Sequence, residues 1–410
     1  MKHASLTALA CALTVAARAA IVVPGADGSD GVLNITTNTE IDLSQAVTGT
    51  WDQNNAANAG KGVYDPAKWA IVFKYSSVNV ASGATVTFKN HASRAPVVWL
   101  VNGNVTIAGT VSLDGQGWMY APLLAEPGPG GFRGGNGYYS AYVGASAGFG
   151  IGAGSSAGNG AGYGQQANGP SYGNPSLIPL VGGSGGGGWY NRANGGGGGG
   201  GAILIAATGT VSCSGTIRSN GGNSDGTNSY GWCGAGSGGG IRVICDTVVG
   251  QGVINAIGGV GSNSPGSVGR IRIERIVNNN ALQIVPDPSI VPLTAGSTAL
   301  LWPPTGAPEV KIVSVGNVNA PADPRASFGS AGADVALPQT SSTQAIIETK
   351  NVEQASVVKV RVTPRSNADA TVITAALQSV VSTDPLVIRW TATLPVNTGY
   401  SALQVHVVRP

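Results

Sequence analysis

The chain has 410 residues, of which 65 are glycine and only 10% are charged, with a formal net charge of +3. So few charges exclude the basic footprint that nucleic-acid binding requires, and the charge repulsion that keeps many chains disordered. The glycines follow no three-residue sequence period, which excludes a collagen helix.

The N-terminal stretch MKHASLTALACALTVAARAA begins with polar Lys2 and His3, followed by an apolar run from Ala4 to Ala17. That run is too short to span a bilayer, and Ala17-Arg18-Ala19 fits a small-x-small cleavage site. These features predict a secretory signal peptide over residues 1–20 and an extracellular or cell-surface protein. Cys11 is too early, and Ala8-Leu9-Ala10 too poor a context, for a lipidation site. Losing Lys2 and Arg18 lowers the formal charge from +3 to +1. No later segment reads as a membrane span. Asp27-Gly28-Ser29-Asp30-Gly31 sets Asp27 and Asp30 at a tight turn. Two carboxylates there make a Ca²⁺ candidate, although the full loop pattern is missing and a solvated turn is the favoured reading.

Short β-type runs then recur. Gly109–Gln116 aligns with Gly215–Gly222 and with Gly252–Gly259. Upstream of these lie Val98–Val101, Ile203–Ala206 and Ile241–Ile244. Partial copies stand at Val78–Phe88 and Arg270–Ile273. Each copy is strand, glycine turn, strand, Gly-Gly, with period-two alternation and many β-branched residues. Such short strands cannot bury a face alone, but stacked copies can. Repeats that stack pair in parallel. The pattern therefore predicts an all-β chain whose residues 21–280 form a parallel β-helix-like solenoid. Each inward Val, Ile or Leu contributes about 1.5–3 kcal/mol on burial.

Residues 117–201 interrupt the repeat as a long glycine-rich loop insertion. Ordering its backbone costs about 85–170 kcal/mol, far more than its few apolar side chains offset. Order, if present, must come from the backbone, with extended glycine segments hydrogen-bonding side by side in a polyproline-II-like lattice. A flexible loop is the other reading. Gly231–Gly240 is a second, shorter glycine loop.

Near residue 280 the composition changes. Asn278–Asn280 and Pro286, Pro288, Pro292, Pro303 and Pro304 suggest a linker or capping stretch over 281–307. From 308 to 410 the runs Val310–Val315, Ala345–Thr349, Val357–Val362, Thr371–Leu377, Val387–Ala392 and Leu403–Val408 alternate between turn residues. They predict a β-sandwich, immunoglobulin-like or fibronectin-III-like, with Trp390 in its core.

Chemistry is sparse. Asp114 and Asp246 are weak catalytic candidates that could face one groove, although a turn or edge aspartate bonding backbone amides is the plainer reading. With His91 and His406 far apart, a Ser-His-Asp triad is not expected. Cys213, Cys233 and Cys245 remain after cleavage, predicting one disulfide of open pairing and one spare thiol. Aromatic residues crowd the glycine-rich loops: Trp118, Tyr120, Phe132, Tyr138, Tyr139, Trp189, Tyr190 and Trp232 foremost, with Tyr142, Phe149, Tyr163, Tyr172 and Tyr230. Flat rings on an uncharged scaffold stack on sugars or on another protein. The alternative is that they plug the flank of the β-helix.

GPGGFRGG (128–135), GGGGGGAILIAATGTVSCSGTI (196–217), GSGGGIRVICDTV (236–248) and GSVGRIRIE (266–274), in this order, resemble exported glycine-rich β-helix-like surface proteins of Gram-negative environmental bacteria. The resemblance covers roughly residues 75–277 and implies location and architecture rather than an activity. Glycine-rich loops on a β-scaffold are also similar to phage tail-tip adhesins, although the signal peptide argues against a virion origin. The expectation is a secreted or cell-surface, non-enzymatic structural or adhesive protein. It would bind an extracellular glycan or a cell-surface protein through its loops, with no cofactor beyond the Ca²⁺ candidate. The alternatives are a self-associating subunit of a sheath or filament, and a β-helix polysaccharide lyase or hydrolase.

Overall fold

The computed structural model describes residues 19–53, 60–138, 140, 144–191, 193–225, 232–261, 264–325, 333–338, 342–395 and 399–410. Most of residues 1–20, the expected signal peptide, with Cys11, and the aromatic residues Tyr139, Tyr142 and Tyr230, lie outside the described residues. The described chain is all-β apart from one 3-10 turn at Leu43–Gln45. None of its helices is long and apolar enough to cross a membrane.

Strands β1 (Val32–Ile35), β2 (Thr39–Asp42), β3 (Val47–Thr48) and β4 (Val63–Asp65) lead into a regular three-strand unit. It first appears as β5 (Ala70–Tyr75), β6 (Ser77–Val80) and β7 (Thr85–Lys89). It recurs as β8 (Val97–Val101), β9 (Val105–Ile107) and β10 (Thr110–Ser112), then as β11 (Ala202–Ala207), β12 (Thr210–Cys213) and β13 (Thr216–Arg218). In the next unit β14 (Gly240–Gly250) runs through the first two places and β15 (Val253–Asn255) takes the third. Likewise β16 (Arg270–Asn280) precedes β17 (Gln283–Val285), and β18 (Ser289–Pro292) follows.

Strands in the same place stack in parallel, giving three rows. The third row runs β2-β7-β10-β13-β15-β17, and the first two rows share one 12-stranded sheet because β14 and β16 bend through both. The register matches the sequence repeat: Val86, Val111, Ile217, Ile254 and Ile284 stand level. In the first row Phe73, Trp99, Ile205, Val243 and Ile273 stand level, and in the second Val78, Val105, Val211 and Val248. These columns meet in one continuous core, all buried except the partly buried Ile284. Stacking thus converts strands too short to bury a face into a shared interior.

The first row is apolar on its outer face too. Val98, Leu100, Leu204, Ala206 and Ile244 are covered there by Ile21, Val23, Ala299 and Leu301. Residues 281–307, expected as a linker or capping stretch, carry β17 and β18 and then a covering segment, which pairs with the N-terminal stretch through Val22 and Thr298. The prolines fit because β18 lies at a sheet edge, where a missing N–H is harmless. Beneath this cover Arg242 is fully buried. Its Nε donates to Glu274 Oε1 at 2.8 Å and its Nη2 to Leu300 O at 2.7 Å, while Arg272 Nε donates to the same Oε1 at 2.8 Å.

The C-terminal part holds β19 (Glu309–Val315), β20 (Val318–Asn319), β21 (Thr343–Lys350), β22 (Val357–Pro364), β23 (Thr371–Thr374), β24 (Ala376–Thr383), β25 (Leu386–Leu394) and β26 (Ser401–Val408). They form two antiparallel, sandwich-like sheets of order β20-β19-β21-β25-β24 and β23-β22-β26. Trp390 lies in the core between them, its Nε1 donating to Thr349 Oγ1 at 2.9 Å.

Candidate binding surface at the end of a glycine lattice

The glycine segments leave the rows between the third and first places of successive units: 113–201 after β10, 219–239 after β13 and 256–269 after β15. Their described residues are held by backbone hydrogen bonds. Along 195–202 successive N–H groups donate to Met119, Gly135, Gly234, Gln116, Phe132, Ser237, Leu113 and Pro129. The acceptor segment thus repeats every third residue, cycling through 113–119, 129–135 and 234–237. Three residues per turn is the geometry of polyproline II, whose amides point outward in three directions. The segment also accepts from Gly128, Gly183, Gly186, Gly222 and Gly240. Each extended segment thereby satisfies buried amides with its neighbours, although it lies in no sheet.

Glycine is required because the segments touch. A Cβ on Gly197 would lie 2.1 Å from Gly222 O, on Gly199 2.0 Å from Gly183 O, and on Gly236 2.0 Å from Gly198 O. At these positions a side chain has no room, and the large aromatic residues discussed next stand where segments end. Several ends coincide. Trp118 N donates to Asn223 O at 2.9 Å and Tyr138 N to Trp189 O at 3.1 Å, and Tyr120 bridges Asn194. Gly158, whose N–H donates to Gly188 O, backs onto Trp232 O and the Trp189 ring.

This gathers Trp118, Tyr120, Tyr138, Trp189, Tyr190 and Trp232 at one end of the lattice. Trp189 stacks on Trp232 with centroids 5.5 Å apart and planes 19° apart, and lies 4.3 Å from Tyr190. Trp118 meets Tyr120 edge-on at 4.7 Å. Despite these contacts Tyr120, Tyr190, Trp232 and Tyr138 are 61, 53, 45 and 42% exposed. Polar groups sit beside them: Asn194 Nδ2 donates to Asp225 Oδ2 at 2.5 Å, and Asp225 is largely buried.

The other predicted residues fall elsewhere. Phe132 lines a separate cavity of about 1190 Å³ together with Trp69, Arg133, Phe149, Ile312 and Leu403, between the lattice and the C-terminal sheets. Tyr163 and Tyr172 are buried plugs whose hydroxyls donate to Val181 O and Gly182 O. Asp114 and Asp246 do not converge. Asp114 follows β10 in the third row, its Oδ2 2.9 Å from Arg218 Nε and its Oδ1 accepting from Asn220 N, while burial raises its pKa. Asp246 sits inside β14, where its Oδ2 accepts from Thr247 Oγ1. All four carboxylate oxygens at the calcium candidate already have partners. Asp27 accepts from Ser29 N and pairs with Lys74 Nζ at 3.4 Å, and Asp30 accepts from Gly60 N and Lys74 N. Among the described residues no cluster of three His, Cys, Asp or Glu side chains could hold a metal.

The expected disulfide is absent: Cys213, Cys233 and Cys245 are all free and buried. Cys213 stands level with Ile107 and Cys245 with Arg275, both in the strand core, whereas Cys233 lies in the lattice and accepts from Asp225 N. Cys233 is held apart from the strand core, and Cys213 and Cys245 sit at different places of the rows, so no pair is bonded. Burial pushes Cys213 up to about 11 and Cys245 to about 12. Comparison with protein-family models, curated proteins and solved structures gives no match.

Proposed function

We infer that this is an exported, non-enzymatic adhesive protein that binds neutral glycans through the aromatic end of its glycine lattice. The three stacked rows support a parallel β-helix as the shaft, and the two C-terminal sheets support an immunoglobulin-like sandwich. The observation that carries the functional reading is the gathering of six aromatic side chains, four of them exposed, at one end of the lattice. Pyranose rings offer an apolar face that stacks on indole and phenol rings, and their hydroxyls suit amide and carboxylate groups such as Asn194 and Asp225.

A glycan array and titration calorimetry with the best neutral oligosaccharide test this reading. Trp232→Ala and Tyr190→Ala are expected to weaken binding by at least roughly 10-fold each, about 1.4 kcal/mol. Phe132→Ala, away from the lattice end, is expected to leave it unchanged. Binding that survives Trp232→Ala and Tyr190→Ala combined in one chain, or a wild-type chain that binds no glycan, would overturn the proposal. The lyase or hydrolase reading has less support, because Asp114 and Asp246 lie in different rows and Asp114 is engaged by Arg218.

A further inference from the structure

We propose that the cavity between the glycine lattice and the C-terminal sheets binds an anionic single-chain amphiphile, a long-chain fatty acid. The cavity, of about 1190 Å³, has two unlike walls. Val315 of β19 and Leu394 of β25 belong to one C-terminal sheet, and Val362 of β22 to the other. All three are buried in the core between the sheets and all three line the cavity, so it reaches into that core. This wall is aliphatic and suits an acyl chain, because apolar surface holds water poorly and takes apolar ligands.

The opposite wall carries Trp69, Arg94 and Arg133. Glu126 Oε2 accepts from Arg94 Nε at 3.0 Å and its Oε1 from Arg133 Nε at 2.6 Å. One carboxylate thus sets two guanidinium groups side by side, and the trio carries a net positive charge. The other cations of the cavity sit with their own acids: Lys311 lies 2.8 Å from Glu348 and Arg325 2.6 Å from Asp323, while Asp334 accepts from Arg325 N. Guanidinium donors match the two oxygens of a carboxylate, and a monoanion matches the single excess charge. The backbone of this wall is strained as well. Trp69 and Arg94 stand at φ of 47° and 54°, a region that bulky residues rarely adopt and that clusters at ligand sites. Trp69 is held there by its Nε1 donating to Ser93 O at 3.1 Å, and Arg94 by its carbonyl accepting from Gly130 N at 2.7 Å. A neutral glycan would not use the guanidinium pair and would bury its hydroxyls against aliphatic residues, whereas an acyl chain with one carboxylate complements both walls.

Titration calorimetry of the full chain with laurate tests this, the expected dissociation constant being on the order of 10 μM or tighter. Acetate offers the head alone and dodecanol the chain alone, and each is expected to bind at least roughly 10-fold more weakly. Arg133→Gln should weaken laurate by at least roughly 10-fold and leave dodecanol unchanged, a difference that a merely structural role would not produce. Ile312→Trp, which fills the cavity from β19, should weaken both. Trp232→Ala, at the far aromatic surface, is the control and should bind laurate as the wild type does. If Arg133→Gln and Ile312→Trp fail to fold, amide exchange of the wild type decides: laurate should slow exchange in β19 and β26, which flank the cavity. A wild type that binds no laurate, that binds acetate or dodecanol equally well, or that is protected only elsewhere would overturn the proposal, as would folded variants that bind laurate unchanged.

Discussion

Replacing Gly199 with alanine sets the close contact of the lattice against the usual effect of such a change. Gly→Ala in an accommodating backbone stabilises by about 0.4–1 kcal/mol, because the unfolded chain loses freedom. At Gly199 the new Cβ would lie 2.0 Å from Gly183 O and 2.3 Å from its carbonyl carbon, so backbone must move. The hydrogen bonds at risk are Gly199 N to Phe132 O, Gly128 N to Gly199 O and Gly183 N to Gly200 O. At about 1 kcal/mol each, their loss outweighs the entropic gain and leaves a net destabilisation of about 2–3 kcal/mol. Gly117 is the matched control: its Cβ would meet Asn223 O at 3.5 Å, an ordinary contact. Gly117→Ala is expected to be neutral or to stabilise by up to about 1 kcal/mol. Urea unfolding gives the stabilities, and amide exchange over 195–202 locates the damage. Equal stability of the two variants would refute the idea that backbone proximity is what requires glycine here.

Glu274→Ala leaves Arg242 buried without its counter-charge and should cost about 3–5 kcal/mol in chemical denaturation; a loss under about 1 kcal/mol would show that the covering segment does not depend on this pair. Thiol labelling of the native chain near pH 8 should reach none of Cys213, Cys233 and Cys245, while denaturant exposes all three and reductant leaves the thermal midpoint unchanged. Because the folded state raises Cys213 from 9.0 to about 11, its contribution to stability is full below pH 9 and declines as pH rises from 9 towards 11. A melting temperature that rises over that window would contradict it.

Much of the architecture was legible in the residues. The alignment of Gly109–Gln116 with Gly215–Gly222 and Gly252–Gly259 is the observed register of β10, β13 and β15, because stacked strands must repeat their inward positions. The aromatic content of the loops was visible as well. What could not be read was that Trp118, Tyr138, Trp189 and Trp232, drawn from four separate segments, end side by side while Phe132 does not. The disulfide expectation failed for a related reason, since cysteine count does not report distance.

Residue pattern alone decides which parts of this chain are strands and which are glycine segments. A side-chain-free extended segment carries no address, however: its amides can pair with those of any similar segment. Which segments become neighbours, and so which rings share a surface, follows from where the stacked rows anchor each segment's two ends. That is a property of the assembled fold and of no local stretch within it.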